Sequence, residues 1–477
     1  MRSDPVLANL WIEITAYLGT LVVCLIASST GGLRIVNVIA PIALAIVAGG
    51  ANAMMVKRDP NLLLSPLFGL RLIALVMLGL GGLFHLLAPE AVREQMDYLY
   101  AAGVEEEAKV YLVWLSGMLL TMIGVAAAIR MFGRAEDYAP APSSIATPNW
   151  RPPAMAFAAG FVVDATLNLM QSFQLALPIP SSFILVFSAV QLVGLFFLGE
   201  MLDRSKGARI VACLALILSI LFGLILMNKT VVLLPSLILS LGYLRARISF
   251  RRVLTSVVVV ASIYFTINPI VVYSRSRHYQ AHSVMGTGTF EDRISYLRDY
   301  WNGDRAFEGT GEATSYSMAR LDYVMPASFV IAQYDRGVPS DEIATSGYML
   351  IPRFLWPDKP VTTTAGLAVN YLLGIQSTNQ IAVTMLADLY WNFGWPGLSL
   401  MLIAGFFIGI GTLASRRILK SGDWLMMPFV FVAFRASLGF DGNFATGLMI
   451  PIIMAIALYW ALRALRVVLP KSLGGAS

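Results

Sequence analysis

The stretch VYLVWLSGMLLTMIGVAAAIRM, residues 110–131, decides the fold of this chain. It carries a single charged side chain, Arg130, close to its end. An α-helix rises about 1.5 Å per residue, so about 20 apolar residues cross the hydrocarbon core of a bilayer. The stretch therefore predicts a helix that crosses a membrane.

Similar apolar runs recur along the whole sequence, which is 57% hydrophobic and only 13% charged, with a mean hydropathy of +0.72. About twelve runs have this character, so the sequence predicts an all-α polytopic membrane protein. The runs lie near residues 11–29, 35–55, 62–87, 110–131, 154–175, 181–201, 210–227, 230–244, 253–273, 396–414, 424–440 and 445–462.

Basic residues collect in every second connection between these runs, as at Lys57 and Arg58 and at Arg416 and Arg417. Basic residues in short loops mark the cytoplasmic side, which places both termini inside. The net charge of +6 follows this pattern, and we expect no nucleic-acid partner. The sequence therefore predicts three segments: residues 1–273 with nine helices, 274–395 as an extracytoplasmic (periplasmic) segment, and 396–477 with three helices and a cytoplasmic tail.

The middle segment contains a polar stretch, residues 274–380, with eight Arg and one Lys against eleven Asp and Glu. It keeps apolar residues at helical spacing, which predicts helices that lie in the membrane interface. Thr289 and Asp292 match a helix-capping pattern, with Ile294 on the apolar face that follows. We expect a second helix from about 314 to 334 that Pro326 interrupts, and an interfacial or re-entrant segment at 347–356.

Two short motifs follow: IPRFLWPDKP, residues 351–360, and LADLYWNFGWPG, residues 386–397, which leads directly into an apolar run. Together they resemble the Wzy-type oligosaccharide repeat-unit polymerases, within the O-antigen polymerase and O-antigen ligase superfamily. In that family a proline-flanked arginine and a Lys-Pro pair precede an acidic residue and an aromatic-Phe-Gly sequence. The resemblance covers residues 273–460; before them it rests on topology and size.

The resemblance implies a GT-C-like membrane glycosyltransferase of the bacterial inner membrane, active on its periplasmic face. Such an enzyme joins oligosaccharide repeat units carried on polyprenyl diphosphate into a surface polysaccharide or exopolysaccharide. Donor and acceptor are both lipid-linked, so the bilayer is itself a partner, and a polysaccharide co-polymerase that regulates chain length is a further implied partner. No cofactor and no metal are implied.

Arginine is well suited to the diphosphate of such a donor, because its planar guanidinium binds phosphate oxygens in pairs and keeps its charge near a membrane. Arg275 and Arg277 follow the end of a span, and Arg353 and Lys359 lie in the first motif. Arg435 lies within an apolar run, where a charge is costly and marks a candidate functional site, although snorkelling to the surface would also explain it. These five residues are the candidate diphosphate ligands.

Glycosyl transfer also needs a base for the acceptor hydroxyl, commonly a carboxylate. Asp388 matches the acidic position of the family motif, where relatives frequently have the longer Glu; a solvated helix face or an ion pair is its plain alternative. Asp322 is a weaker candidate. His278 and His282 would share a helical face and suit a base, while a surface histidine pair is the alternative; no carboxylate follows at a metal-ligand spacing.

Other polar residues are candidates for lining the sugar path. Asp164 and Asn168 share one face of the fifth predicted span, where interhelical hydrogen bonding is the alternative. Glu13 and Arg71, in the first and third spans, are able to neutralise each other. The remaining candidate lining residues are Tyr390, Asn392, Trp356 and Arg320.

Three functions remain open from the sequence. The first is the polymerase, and the second is a ligase that hands the glycan to another lipid acceptor. The third is a transporter or flippase for the same lipid-linked sugars, which should concentrate polar residues in its helices and show repeat symmetry. Because the polar residues gather in one segment, the sequence favours an enzyme.

Overall fold

The structure, a computed structural model, describes residues 5–134, 149–173, 184–281, 289–303, 320–346, 348, 351, 356, 364–374 and 381–468. Within these ranges the regular secondary structure is helical and contains no strand. The all-α class and the polytopic membrane character predicted from the sequence are confirmed.

The helices follow the apolar runs of the sequence, with shorter helices between them. In chain order they are α1 Pro5–Ser29, α2 Leu33–Arg58, α3 Pro66–Leu87, α4 Glu90–Tyr100, α5 Val104–Phe132, α6 Arg151–Ser172, α7 Ile184–Glu200, α8 Lys206–Ile225, α9 Lys229–Ala246, α10 Phe250–Ala281, α11 Phe290–Trp301, α12 Val324–Asp335, α13 Glu342–Ser346, α14 Ala365–Leu372, α15 Met385–Phe393, α16 Leu400–Ser421, α17 Trp424–Leu438 and α18 Ala445–Val467.

Ten helices in the described ranges are long and apolar enough to cross a membrane: α1, α2, α3, α5, α6, α8, α9, α10, α16 and α18. The sequence predicts about twelve spans, and the two others correspond to α7 and α17, which are apolar but shorter. Helix α10 is 32 residues long and carries Arg275, Arg277 and His278 in its last turns. These residues therefore belong to a helix and not to the loop that the sequence predicts from 274.

The capping pattern at the start of α11 is confirmed. The backbone N–H of Asp292 donates to the Thr289 hydroxyl at 3.2 Å, and the Thr289 N–H donates to the Asp292 carboxylate at 2.7 Å. This reciprocal capping box satisfies two backbone donors that a helix start leaves without partners. Ile294 and Trp301, which lie on the apolar face of α11, are exposed.

The second predicted helix, 314–334, is corrected in the structure, which describes it from residue 320 onward. Helix α12 begins at Val324, because the Asp322 carboxylate accepts the backbone N–H groups of Val324 and Met325 at 2.8 and 3.3 Å. Pro326 lies in the first turn, where proline is tolerated, and does not interrupt the helix. Residues 324–332 are buried on every side, so α12 packs within the protein, and its location at the membrane interface stays a prediction.

The chain divides into two compact units. The first comprises Met1–Ala141, Met318–Asp423 and Ala433–Ser477. Its central contact is α5 against α16, and α12 and α15 pack on each other and on α5. Small residues allow the close approach of α5 and α16: a Cβ at Gly124 would lie 2.1 Å from the Leu402 carbonyl oxygen.

Gly405 occupies the matching place on α16, where a Cβ would lie 2.1 Å from the Thr121 carbonyl oxygen. We expect Gly405→Ala to lower the free energy of unfolding by about 1–3 kcal/mol, because the two helices would have to separate. Gly19→Ala is the matched control: apart from its own helix backbone, no atom lies within 4 Å of its Cβ position, and alanine favours a helix over glycine. Thermal unfolding in one detergent compares them, and equal stability of the two variants would contradict this packing.

The second unit comprises Pro142–Ser317 and Trp424–Val432. Helix α7 packs against α6 and α9, and α10 packs against α9 and α11. Arg293 of α11 is buried and donates to the carbonyl oxygens of Ser172 at 3.0 Å and Ile225 at 3.3 Å. These carbonyls lie at the carboxyl-terminal ends of α6 and α8, where a cation is favoured. Arg293 therefore fastens α11 to two helix ends.

Candidate active site

Helix α15 carries the second sequence motif and begins and ends at unusual backbone positions. Its N-cap, Thr384, has a φ of +63°, which is strained for a β-branched residue and costs about 1–3 kcal/mol. The Trp114 indole N–H donates to the Thr384 hydroxyl at 3.2 Å and holds it in place. Such strain clusters at functional sites, and the start of this helix is therefore a candidate functional region.

The helix ends at Gly394, whose φ of +65° and ψ of −152° are essentially restricted to glycine. A Cβ at Gly394 would also lie 2.6 Å from the Tyr334 hydroxyl. The chain then turns through Trp395 and Pro396 into α16. The Phe-Gly-Trp-Pro-Gly sequence thus allows a sharp turn that fixes α15 against the start of a membrane-spanning helix.

Asp388 lies in the first turn of α15 and has no exposed surface. Its Oδ2 accepts the Phe444 backbone N–H at 2.7 Å, and its Oδ1 accepts an Asn392 side-chain N–H at 3.1 Å. Burial raises the pKa of the Asp388 carboxyl to about 7, although both hydrogen bonds act in the opposite direction. The carboxyl is therefore poised between its two protonation states near neutral pH.

Glu342, the first residue of α13, is a second buried carboxyl of this site, only 4% exposed. Burial, followed by the charges of Asp388 and Asp341, raises the pKa of Glu342 to about 9, while a hydrogen bond with Asn443 lowers it. The sequence does not single out Glu342, because nothing in the adjacent pair Asp341 and Glu342 shows which of them is buried. In the structure Asp341 is exposed.

A second cluster of the first unit surrounds His85 of α3. Its Nδ1 lies 2.8 Å from the Asp322 carboxylate and its Nε2 lies 3.4 Å from Glu107 of α5. An Asn37 side-chain N–H donates to the other Glu107 oxygen at 2.8 Å. His85 is not among the predicted site residues, although a histidine within a span is by itself a signal of function. Asp322, a candidate base, is occupied here as the cap of α12 and the partner of His85.

The two carboxylates contact opposite nitrogens of the His85 ring, so they do not converge on a common point. Among the described residues, no group of three His, Cys, Asp or Glu side chains is placed to hold a metal ion.

Tyr390 belongs to a third cluster, on the other side of α15. Its hydroxyl donates to the Asp335 carboxylate at 3.0 Å, and Lys109 of α5 pairs with the second oxygen of Asp335. The Lys109 ammonium also lies 5.1 Å from the centre of the Tyr390 ring. Tyr334 and Trp395 pack edge-to-face against the same ring. Lys109, Asp335 and Trp395 keep exposed surface, so this cluster offers aromatic and charged groups to a polar ligand.

Several predicted site residues belong to the second unit, which is described by itself. Arg275 donates to the Met227 carbonyl oxygen at 2.7 Å, and Arg277 donates to the Tyr273 hydroxyl at 3.2 Å. His278 is fully buried and packs edge-to-face against Tyr296. These contacts fix the three side chains along the last turns of α10.

Asp164 of α6 is also in the second unit and is buried, and its carbonyl oxygen accepts an Asn168 side-chain N–H at 2.8 Å. This contact is local to α6. The lining role that the sequence suggests for both residues stays a prediction.

The other predicted site residues lie at separate places in the structure or outside the described residues. Arg435 is half-buried on α17, and Arg320 is half-buried in the turn before α12. Trp356 packs edge-to-face against Tyr348, with ring centres 5.4 Å apart. Arg353, Lys359 and His282 lie outside the described residues.

The arrangement around α15 therefore contains two buried carboxyls and two asparagine side chains in a site shielded from water. Such a site is able to accept or hold a proton near neutral pH, because burial disfavours the charged form of each acid.

No protein-family model, no curated protein and no solved structure matches this chain.

Proposed function

We propose that this chain is a membrane glycosyltransferase that polymerises polyprenyl-diphosphate-linked oligosaccharide repeat units at the outer face of a bacterial inner membrane. The observation that carries the proposal is Asp388, a buried carboxyl with a pKa of about 7 in the motif that leads into α16. A general base works best when its pKa lies near the operating pH. An ordinary exposed aspartate, with a pKa near 3.8, would be a much weaker base.

In the proposed reaction, Asp388 accepts the proton of an acceptor hydroxyl on one repeat unit. The hydroxyl oxygen forms a bond to the anomeric carbon of the donor sugar, on the face opposite its diphosphate. The bond between that carbon and the diphosphate oxygen breaks, and the diphosphate leaves with the electron pair. This is an inverting displacement that needs no metal, provided that basic side chains stabilise the leaving group.

The proposed diphosphate ligands are Arg353, Arg435, Arg275, Arg277 and Lys359. Two physical features support arginine for this role. A guanidinium keeps its charge at a low-dielectric surface, and its paired N–H groups match phosphate oxygens. A polysaccharide co-polymerase that sets the chain length remains the proposed protein partner.

Access to Asp388 requires a local movement, because its two oxygens are occupied by Phe444 and Asn392 and no solvent reaches it. The turn at residues 439–444, between α17 and α18, is short and contains Gly439 and Gly442. We propose that the acceptor hydroxyl replaces one of the two donors when this turn opens. Catalytic hydrogen bonds commonly tighten only in the complex with substrate.

The test is a deletion of this gene in its own host, complemented with variants of the chain. Asp388→Asn should leave single repeat units and abolish the ladder of longer glycans on a gel, because the amide cannot accept the proton. Asp341→Asn is the matched control, since Asp341 is an exposed acid of the same site region, and it should restore the full ladder. Blotting of the tagged chain verifies equal protein levels.

Other results would point elsewhere. A normal ladder with Asp388→Asn at normal protein level would refute Asp388 as the base. If deletion leaves full-length polymer attached to the polyprenyl carrier, the chain is a ligase. If deletion leaves unpolymerised lipid-linked repeats on the cytoplasmic face, the chain is a transporter.

The transporter is the second candidate because of the cluster at His85. A buried histidine between two carboxylates, Glu107 and Asp322, is an arrangement that proton-coupled carriers use as a relay. This cluster joins α3, α5 and the start of α12.

A further inference from the structure

One end of the second unit carries a dense group of basic side chains that the proposed reaction does not use. This end is formed by the starts of α6, α8 and α10 and by the turns before them. Residues 149–151, 200–209 and 245–252 contain eight basic side chains and only two acidic ones. Six of the basic side chains are exposed and are called the basic patch: Arg151, Arg204, Lys206, Arg209, Arg247 and Arg251.

Two contacts show that the patch is one continuous surface. A Cβ at Gly207 would lie 2.6 Å from the Trp150 indole nitrogen, so the start of α8 lies against the residue before α6. The Arg252 guanidinium pairs with Asp203, which joins the start of α10 to the turn before α8. The three helix starts therefore lie side by side at one end of the unit.

The two acidic side chains of this end do not neutralise the patch. Glu200 is buried, pairs with Arg245 and also interacts with the charge of Arg204. Asp203 pairs with Arg252, which like Arg245 is not one of the six exposed cations. A cation is disfavoured at the start of a helix, so the helix backbone does not account for these charges either. The surface therefore keeps an excess of positive charge that suits an anionic partner.

Exposed apolar side chains border the basic patch. Phe250, the first residue of α10, is 81% exposed, and Ile210, directly after Arg209 in α8, is 62% exposed. The exposed apolar residues continue along both helices, as at Leu214, Ile217, Leu254 and Val257. Both helices are long and apolar enough to cross a membrane, and an exposed apolar face on such a helix suits acyl chains. The cations thus stand where this apolar surface ends, at the depth of lipid headgroups.

We propose that the basic patch binds anionic phospholipids. The lipid phosphates pair with the exposed Lys and Arg side chains, and the acyl chains of the same lipids lie along α8 and α10. A soluble phosphate ester would use the cations but not the apolar residues beside them, which favours a lipid. Clusters of about four to eight basic residues next to spans typically recognise anionic lipids. The positive-inside rule concerns only the side on which cations gather, whereas this proposal concerns selection of anionic over neutral lipid at one surface.

The experiment is native mass spectrometry of the purified full chain in detergent, titrated with phosphatidylglycerol or with phosphatidylcholine of the same acyl chains. The wild type should bind phosphatidylglycerol about tenfold more tightly, and added salt should weaken this binding. The patch variant, Lys206→Gln with Arg209→Gln and Arg251→Gln, should lose about tenfold of its affinity for phosphatidylglycerol and none of its affinity for phosphatidylcholine. Its three positions are exposed, so thermal unfolding should match the wild type.

The control variant carries Lys57→Gln, Arg463→Gln and Arg466→Gln. It removes three exposed cations that the sequence also predicts on the cytoplasmic side, but they belong to the first unit. It should bind phosphatidylglycerol like the wild type. Equal losses in the two variants would overturn the proposal, because net charge alone would then explain the binding.

Three further results would also overturn the proposal. The first is equal affinity of the wild type for the two lipids. The second is displacement of phosphatidylglycerol by an equal concentration of glycerol phosphate, which would identify the ligand as a soluble phosphate ester. If the patch variant does not fold, Lys206→Gln alone replaces it, with an expected loss of about fivefold. An unchanged affinity of that single variant is the third result.

Discussion

Arg71→Met should lower the free energy of unfolding by about 3–5 kcal/mol. Arg71 of α3 and Glu13 of α1 are both buried and form an ion pair, with the Arg71 Nε donating to Glu13 at 3.2 Å. A second N–H of the guanidinium contacts the Met55 sulfur at 3.2 Å. Removal of the arginine leaves the Glu13 carboxyl buried without its cation. A buried charge without a partner strongly destabilises the folded state.

The double variant Glu13→Leu and Arg71→Met should recover most of this loss, because it leaves no buried charge without a partner and its two apolar side chains suit an apolar surrounding. Thermal unfolding of all variants in one detergent yields the coupling energy of the pair. Arg466→Met is the matched control: it breaks the pair with Asp423, but 64% of the Arg466 side chain is exposed, so the loss should stay below about 1 kcal/mol. If Arg71→Met were no worse than Arg466→Met, the Glu13 pair would not hold α1 to α3.

The features that the sequence predicts well are those that depend on neighbouring residues. Apolar runs predict the helices because each run is long enough for a bilayer, and Thr289 and Asp292 predict the start of α11 because a capping box spans only four residues. The Glu13 and Arg71 pair is also predictable, since two charges of opposite sign in separate spans have few alternatives to meeting each other.

The candidate site depends on contacts between distant residues, and for this reason the sequence predicts only part of it. Asp388 and Asn392 are found from their motif, but their partner Phe444 is 56 residues farther along the chain. His85 and Asp322 are 237 residues apart, and no local pattern connects them. The apolar spacing that predicts a helix over 314–334 contains no signal that the Asp322 side chain accepts the first N–H groups of α12 and so starts the helix there.

The stability of the chain should fall as the pH rises, and Glu342 should cause the larger part of the change. The folded chain keeps the Glu342 proton up to about pH 9, whereas an unfolded glutamate releases it near its ordinary pKa of 4.5. Between these two values the folded state binds a proton that the unfolded state lacks, so stability falls with rising pH at about 1.4 kcal/mol per pH unit for each such proton. The stabilisation is complete below pH 4.5 and is lost as the pH approaches 9. Asp388 acts in the same direction between 3.8 and about 7.

Glu342→Gln removes this proton from both states, so its unfolding temperature should be nearly constant between pH 7 and pH 9, where the wild type declines. The variant should also be more stable than the wild type in that window, since no acid has to be kept neutral. Asp341→Asn should follow the wild type, because Asp341 is exposed. A wild type whose stability rises from pH 7 to pH 9 would mean that Glu342 is ionised in the folded state and paired with a cation. The raised pKa of Glu342 would then be excluded independently of any assay of sugar transfer, because this measurement needs no substrate.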